Sequence, residues 1–147
     1  MDLTRYQKAM DLHSKGFNCC QSVLAAFSDR TGLDDQTAFN LAGGFGAGAG
    51  TGELCGALSG AVMTLGLTHP VDPADPVGGK RRTMGLGKQV QQGVKERFGS
   101  LRCTDLLKTD ISPELTPVAQ EMGLTNRCDI LIVNAIQRVE ALLQEEG

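Results

Sequence analysis

The sequence predicts an all-α fold: one domain over residues 1–147, a bundle of roughly six or seven helices with a glycine-rich loop. Two observations carry this. Apolar residues recur at three- and four-residue steps along most of the chain, which places them on one face of a helix. No stretch of useful length alternates apolar and polar residues, as a half-buried strand requires. With no Trp, one Tyr and five Phe, the core must be built from Leu, Val, Ile, Ala and Met.

The elements follow in order. Leu3, Tyr6, Met10 and His13 line one face of a helix over 2–14, stopped by Gly16. Asn18 caps a second helix that runs to about Arg30, with Val23, Leu24 and Phe27 inward and Gly32 as terminator. Asp34 or Asp35 caps a third through Ala42. Glycine then takes eight of the eighteen positions 43–60, so the part up to Gly52 reads as loop. From Thr51, the spacing of Leu54, Leu58, Ala61, Val62 and Leu65 predicts a helix ending near Gly66. Its small residues Gly56, Ala57, Gly60 and Ala61 would admit a neighbouring backbone. Pro70, Pro73, Pro76, Gly78 and Gly79 mark a linker. A helix over 80–98 follows, with Leu86, Val90, Val94 and Phe98 as its stripe. A short helix begins near Ser100, and 109–124 is mixed, broken by Pro113 and Pro117. Thr125 caps a last helix with Leu131, Ile132, Ala135, Ile136, Val139, Leu142 and Leu143 on one stripe.

Composition excludes several function classes. A net charge of −3 does not suit a general polyanion binder. No apolar run reaches the roughly 18 residues of a membrane span. Met1-Asp2-Leu3-Thr4-Arg5-Tyr6 lacks the basic start and apolar stretch of a signal peptide, which points to a cytoplasmic address. In that compartment clustered cysteines more often mean redox chemistry or metal than structural disulfides. Five cysteines, an odd number, agree with that.

Their positions carry more than their number. Cys19 follows the cap Asn18. Cys55 lies within one turn of the helix start near Thr51. Cys103 and Cys128 each lie three residues after a capping candidate, Ser100 and Thr125. All four therefore fall in the first turn of a helix, where unpaired N–H groups and the helix dipole favour a thiolate. The thiolate is both the nucleophile of disulfide exchange and a metal ligand. A single cysteine at any of these places would read as a small buried apolar residue; four together read as function. A disulfide between the neighbours Cys19 and Cys20 would strain a helical peptide, so Cys20 reads as packing with Val23, Leu24 and Phe27, or as a spare thiol. Without a Cys-x-x-Cys, any redox pair is assembled from distant segments, and four cysteines allow three pairings.

Cys55-Gly56-Ala57-Leu58-Ser59-Gly60 resembles the Cys-Gly-Ala-x-x-Gly signature of a bacterial and archaeal family of redox-active proteins, the C_GCAxxG_C_C type. Cys19 in Phe17-Asn18-Cys19, Cys103 after Arg97-Phe98-Gly99, and Cys128 at the last helix resemble the family's other cysteines, and the Gly43–Gly52 run is similar too. The resemblance spans most of the chain. It implies a redox role resting on these four residues. Cys20 stands where the family pattern suggests a small residue such as alanine.

Other features read more plainly. Residues 43–60 hold no Gly-x-Gly-x-x-Gly and follow no strand, and Ala74 breaks a Walker pattern before Gly79-Lys80, so no nucleotide site is expected. His13 reads as a hydrogen-bonding partner and His69 as a loop residue, though either could act as base to a thiol. Lys80, Arg81, Arg82, Lys88, Lys95 and Arg97 read first as a solvated helix face. The sharper reading is a positive field that acidifies a thiol or holds an anionic substrate. No aromatics interleave this patch, which argues against nucleic acid.

Three functions follow. The first is thiol–disulfide exchange or redox sensing at Cys19, Cys55, Cys103 and Cys128, with Cys55 favoured as attacking group and a redox protein or small thiol as partner. The second uses the same four cysteines as ligands for an iron–sulfur cluster or zinc. The third is a non-enzymatic helical binding protein in which the cysteines pack. A homodimer is left open.

Overall fold

A computed structural model describes residues 2–108 and 116–146. These residues form nine α-helices and a π-turn, with no strand among them: α1 (Thr4–Ser14), α2 (Cys19–Ala26), α3 (Ser28–Thr31), α4 (Asp35–Ala42), α5 (Gly56–Thr68), α6 (Pro76–Phe98), α7 (Cys103–Leu106), α8 (Pro117–Glu121) and α9 (Arg127–Glu146). The all-α class is as the periodicity predicts. The count exceeds six or seven because α3, α7 and α8 are four or five residues long, too short to show a period. Of the mixed segment, Pro113 lies outside the described residues and Pro117 opens α8. No helix among the described residues is long and apolar enough to cross a membrane.

Helices α5 and α9 form the centre. On α9, Ile130 through Val133, Ala135, Ile136 and Val139 are buried, so the helix is covered on more than one face by α1, α2, α5 and α6. Burying side chains of this size stabilises by roughly 1.5–3 kcal/mol each. The mainly aliphatic core that the composition requires is present, with Phe27 and Phe98 as buried aromatic additions.

Capping explains most boundaries. Asn18 and Gln21 form a reciprocal capping box at the start of α2: Gln21 N–H donates to Asn18 Oδ1 at 2.9 Å, and Asn18 N–H donates to Gln21 Oε1 at 2.8 Å. Asp34 caps α4 by accepting from Thr37 N–H at 2.7 Å. The helix expected to continue to Arg30 breaks at Phe27. There the Ala26 carbonyl accepts from Arg5, whose guanidinium lies 4.4 Å over the Phe27 ring. Helix α6 begins four residues before the expected Lys80. Asp75 caps it and Pro76 takes the first helical position, an arrangement suited to a proline, which needs no N–H there. The last helix is capped by Asn126, not Thr125: Asp129 N–H donates to Asn126 Oδ1 at 3.1 Å. Asn18→Ala is expected to destabilise by about 1 kcal/mol and to lower Tm by roughly 2–4 °C in a thermal melt.

Glycines set the closest approaches. A Cβ at Gly60 would lie 2.9 Å from the Cys20 carbonyl oxygen and from Val23 Cβ, and one at Gly56 would lie 3.0 Å from the Phe45 carbonyl oxygen. The small residues of the Cys-Gly-Ala-x-x-Gly segment thus form the seam between α5 and α2, as expected. On α6, Gly87 meets Val62 of α5 and Gly93 underlies the Arg138 guanidinium of α9. These internal glycines serve packing instead of breaking the helix.

Candidate functional site

The four predicted cysteines, delivered by four separate helix starts, line one cavity of about 230 Å³. Cys19 is the first residue of α2. Cys55 is the N-cap of α5 itself, because that helix begins at Gly56 and not near Thr51. Cys103 opens α7 directly after Arg102, with Ser100 two residues further back. Cys128 is the second residue of α9. The rest of the wall is largely apolar, with Leu106, Leu107, Leu131 and Ala47 beside His13 and Asn18.

The glycine-rich loop builds one wall. Ala47, Gly48, Ala49 and Gly50 all have positive φ, so the chain turns in the left-handed sense between α4 and α5. A left-handed alanine costs roughly 1–2 kcal/mol, which the surrounding contacts must hold in place. A Cβ at Gly48 would lie 2.3 Å from Glu53 N, so only glycine fits there. An isolated antiparallel bridge, Leu54 opposite Arg102, then joins this loop to the start of α7. Cys55 N–H donates to the Leu101 carbonyl at 2.9 Å, and Cys103 N–H donates to the Glu53 carbonyl at 2.6 Å. Thr104 Oγ1 donates to the Gly52 carbonyl at 3.0 Å, and Arg102 pairs with Glu53 at 3.2 Å. These bonds bring the second and third cysteines to the same cavity.

The opposite wall comes from α1, α2 and α9. His13 Nδ1 lies 2.6 Å from Asp129 Oδ1, tying α1 to the start of α9 beside Cys128. His13 is thus the hydrogen-bonding partner its position on α1 suggests, and it also lines the cysteine cavity. Cys19 and Cys128 line the same cavity, close enough that each shifts the acidity of the other.

The thiols differ sharply in acidity. The Cys128 pKa falls to about 6, first because Cys19 donates to its sulfur and further because of the positive charge of His13; burial and Asp129 oppose this. Cys19, the donor of that bond, is pushed far up by the bond to Cys128, by burial and by the other thiolates. Cys55 is 3% exposed, and burial pushes it up to about 11, although the amides of Ala57 and Leu58 pull the other way. Burial also raises Cys103. The helix start alone therefore does not decide: the same position gives one acidified thiol and three resistant ones.

Cys20 points away from this cavity's chemistry. It is fully buried, its thiol donates to Met63 Sδ at 3.8 Å, and burial raises it to about 12. The packing reading holds for it, but of the expected neighbours only Leu24 shares its cluster, with Leu12, Ala25, Ala38 and Ala42, while Val23 and Phe27 belong to the larger core. His69 is the loop residue expected, although not a solvent-facing one. It is buried just past α5 with Nδ1 2.7 Å from the Leu65 carbonyl, away from the cysteine cavity. Lys80, Arg81, Arg82, Lys88 and Lys95 are exposed on α6, and Arg97 is half-buried. None of them lines the cavity or contributes to the acidity of Cys128. Among the described residues, no three or more His, Cys, Asp or Glu side chains are grouped to hold a metal ion. The residue that sequence reasoning undervalued is Asp129. Its adjacency to Cys128 was visible, but its partner His13 lies at the other end of the chain.

No curated protein and no solved structure gives a significant match. The model of one family, described as "Putative redox-active protein (C_GCAxxG_C_C)", matches residues 17–142. That stretch holds all four cysteines and the helices that carry them, and the chain belongs to this family of redox-active proteins.

Proposed function

We propose that the protein performs thiol–disulfide exchange, with Cys128 as the attacking thiolate and Cys19 as the resolving thiol. The observation that carries this reading is that Cys19 and Cys128 line one cavity beside His13 and act on each other's acidity in opposite directions. Cys128 is preferred to Cys55 because it is more exposed and ionises near neutral pH, whereas Cys55 is sealed behind the α2–α5 seam. The Cys128 thiolate attacks one sulfur of a disulfide R–S–S–R; that bond breaks and RS⁻ leaves. Cys19 then attacks the Cys128 sulfur of the mixed disulfide and expels the second RS⁻. The two protein thiol protons end on the two RSH products. The substrate gains two electrons and the protein holds a Cys19–Cys128 disulfide. The reverse sequence oxidises a dithiol partner. A reducing compartment such as the cytoplasm suits the resting dithiol.

The test is disulfide mapping. Reduced protein is treated with a limiting amount of a disulfide oxidant, the remaining thiols are blocked, and peptides are identified by mass spectrometry. A dominant Cys19–Cys128 link is expected. A dominant link that omits Cys128 would overturn the assignment. The metal reading ranks second, because the cysteines lack a ligand-like grouping among the described residues. Stoichiometric iron or zinc in protein purified without oxygen would move it ahead. The binding-protein reading would gain if Cys→Ser changes altered stability and left redox behaviour untouched.

A further inference from the structure

The cavity in front of the Cys128–Cys19 pair has a chemical character of its own. Beside the four cysteines, its lining includes Leu106, Leu107, Leu131, Ala47 and Gly56. Among the described residues, no Lys, Arg, Asp or Glu lines the cavity, and His13 is engaged by Asp129. The strongly basic helix α6 is elsewhere. The space is about 230 Å³. Leu106 and Leu131 are buried and form its floor, while Leu107 is 48% exposed and stands at its mouth with Ala47.

We infer that the substrate of this site is a small, uncharged, apolar disulfide, selected by the leucine wall and admitted past Leu107. The inference rests on the dithiol reading above and adds the substrate class. The physical reason is desolvation. The carboxylates or ammonium groups of a charged disulfide would lose water on entry and find no opposite charge on the wall. An alkyl group instead loses water with gain and meets leucine side chains. Specificity of this kind is a difference between substrates, set as much by what the wall refuses as by what it holds. The chemistry is that of the two exchange steps already written: the alkyl disulfide accepts two electrons and leaves as two alkyl thiols, and the protein becomes the Cys19–Cys128 disulfide.

The test uses the full reduced chain and three probes: diethyl disulfide, glutathione disulfide and cystamine. The rate of loss of the Cys19 and Cys128 thiols is measured with each. Each rate is divided by that of a small unhindered thiol with the same probe, which removes differences in intrinsic reactivity. The normalised rate for diethyl disulfide is expected to exceed the other two by at least about tenfold, the scale at which a pocket distinguishes one or two apolar groups. Leu107→Lys is expected to raise the normalised rate with glutathione disulfide about tenfold relative to that with diethyl disulfide, because it adds positive charge and removes an apolar side chain at the mouth. Equal normalised rates for all three probes would overturn the substrate class while leaving the dithiol chemistry standing. No reaction of Cys128 with any probe would overturn both. A Leu107→Lys variant with unchanged rates would remove Leu107 as the selecting residue.

Discussion

Cys128→Ser is expected to abolish the fast thiol reaction of this protein at neutral pH. With its pKa lowered to about 6, the Cys128 thiol ionises below neutral pH, whereas burial pushes Cys55 up to about 11 and keeps it protonated there. The less basic thiolate is intrinsically the weaker nucleophile, which narrows but does not cancel the advantage of Cys128 over Cys55. Iodoacetamide labelling of the reduced protein, read peptide by peptide, measures it. One residue should label fast, with a midpoint near pH 6, because only the ionised form reacts and protonation below the pKa removes it. His13→Gln should move that midpoint upward. It removes the positive charge that lowers the Cys128 pKa and leaves Asp129, which raises it, without its partner. Uniform slow labelling of all cysteines, with a midpoint of 8.5 or above, would exclude Cys128 as the attacking group.

Gly60→Val is expected to be the most damaging single change to the fold. The added Cβ alone would lie 2.9 Å from the Cys20 carbonyl oxygen, a backbone atom that cannot rotate aside, and 2.9 Å from Val23 Cβ. The branched side chain extends the clash into a seam where Val23, Ala57 and Ala61 are all buried. Separating α2 from α5 should cost about 3 kcal/mol, lowering Tm by about 10 °C in a chain of this size. The same displacement moves Cys19, at the head of α2, away from Cys128. Labelling of Cys128 should therefore lose its low midpoint in whatever fraction of the variant still folds. Gly85→Ala, on the exposed side of α6 with open space around it, is the control and should leave Tm within about 1 °C or raise it. A melt in which the two variants behave alike would remove the seam from the account of the Cys-Gly-Ala-x-x-Gly segment.

Much of this protein could be read from local chemistry. Asn18 and Asp34 mark their helix starts because a side-chain oxygen satisfies an otherwise unpaired N–H, and that is a matter of a few neighbouring residues. The long period of α9 and the absence of alternation give the all-α class. The glycines at 56 and 60 announce a close neighbour, although not which one. Reading failed where the deciding partner was distant or the element short. At the end of α2 the Ala26 carbonyl meets Arg5, the bridge between Leu54 and Arg102 precedes the start of α5, and α6 opens on an Asp75-Pro76 cap read as linker.

The sequence by itself determined that four thiols sit at helix starts, because caps and periodicity are local and a helix end is polarised wherever it occurs. Only the tertiary structure decided which thiol ionises. Cys19 and Cys128, more than a hundred residues apart, meet because α2 and α9 both pack in the core, and His13 reaches them from α1. Acidity is set by burial and by the charges and hydrogen bonds within a few ångströms, so it belongs to the packed cavity and not to any one segment.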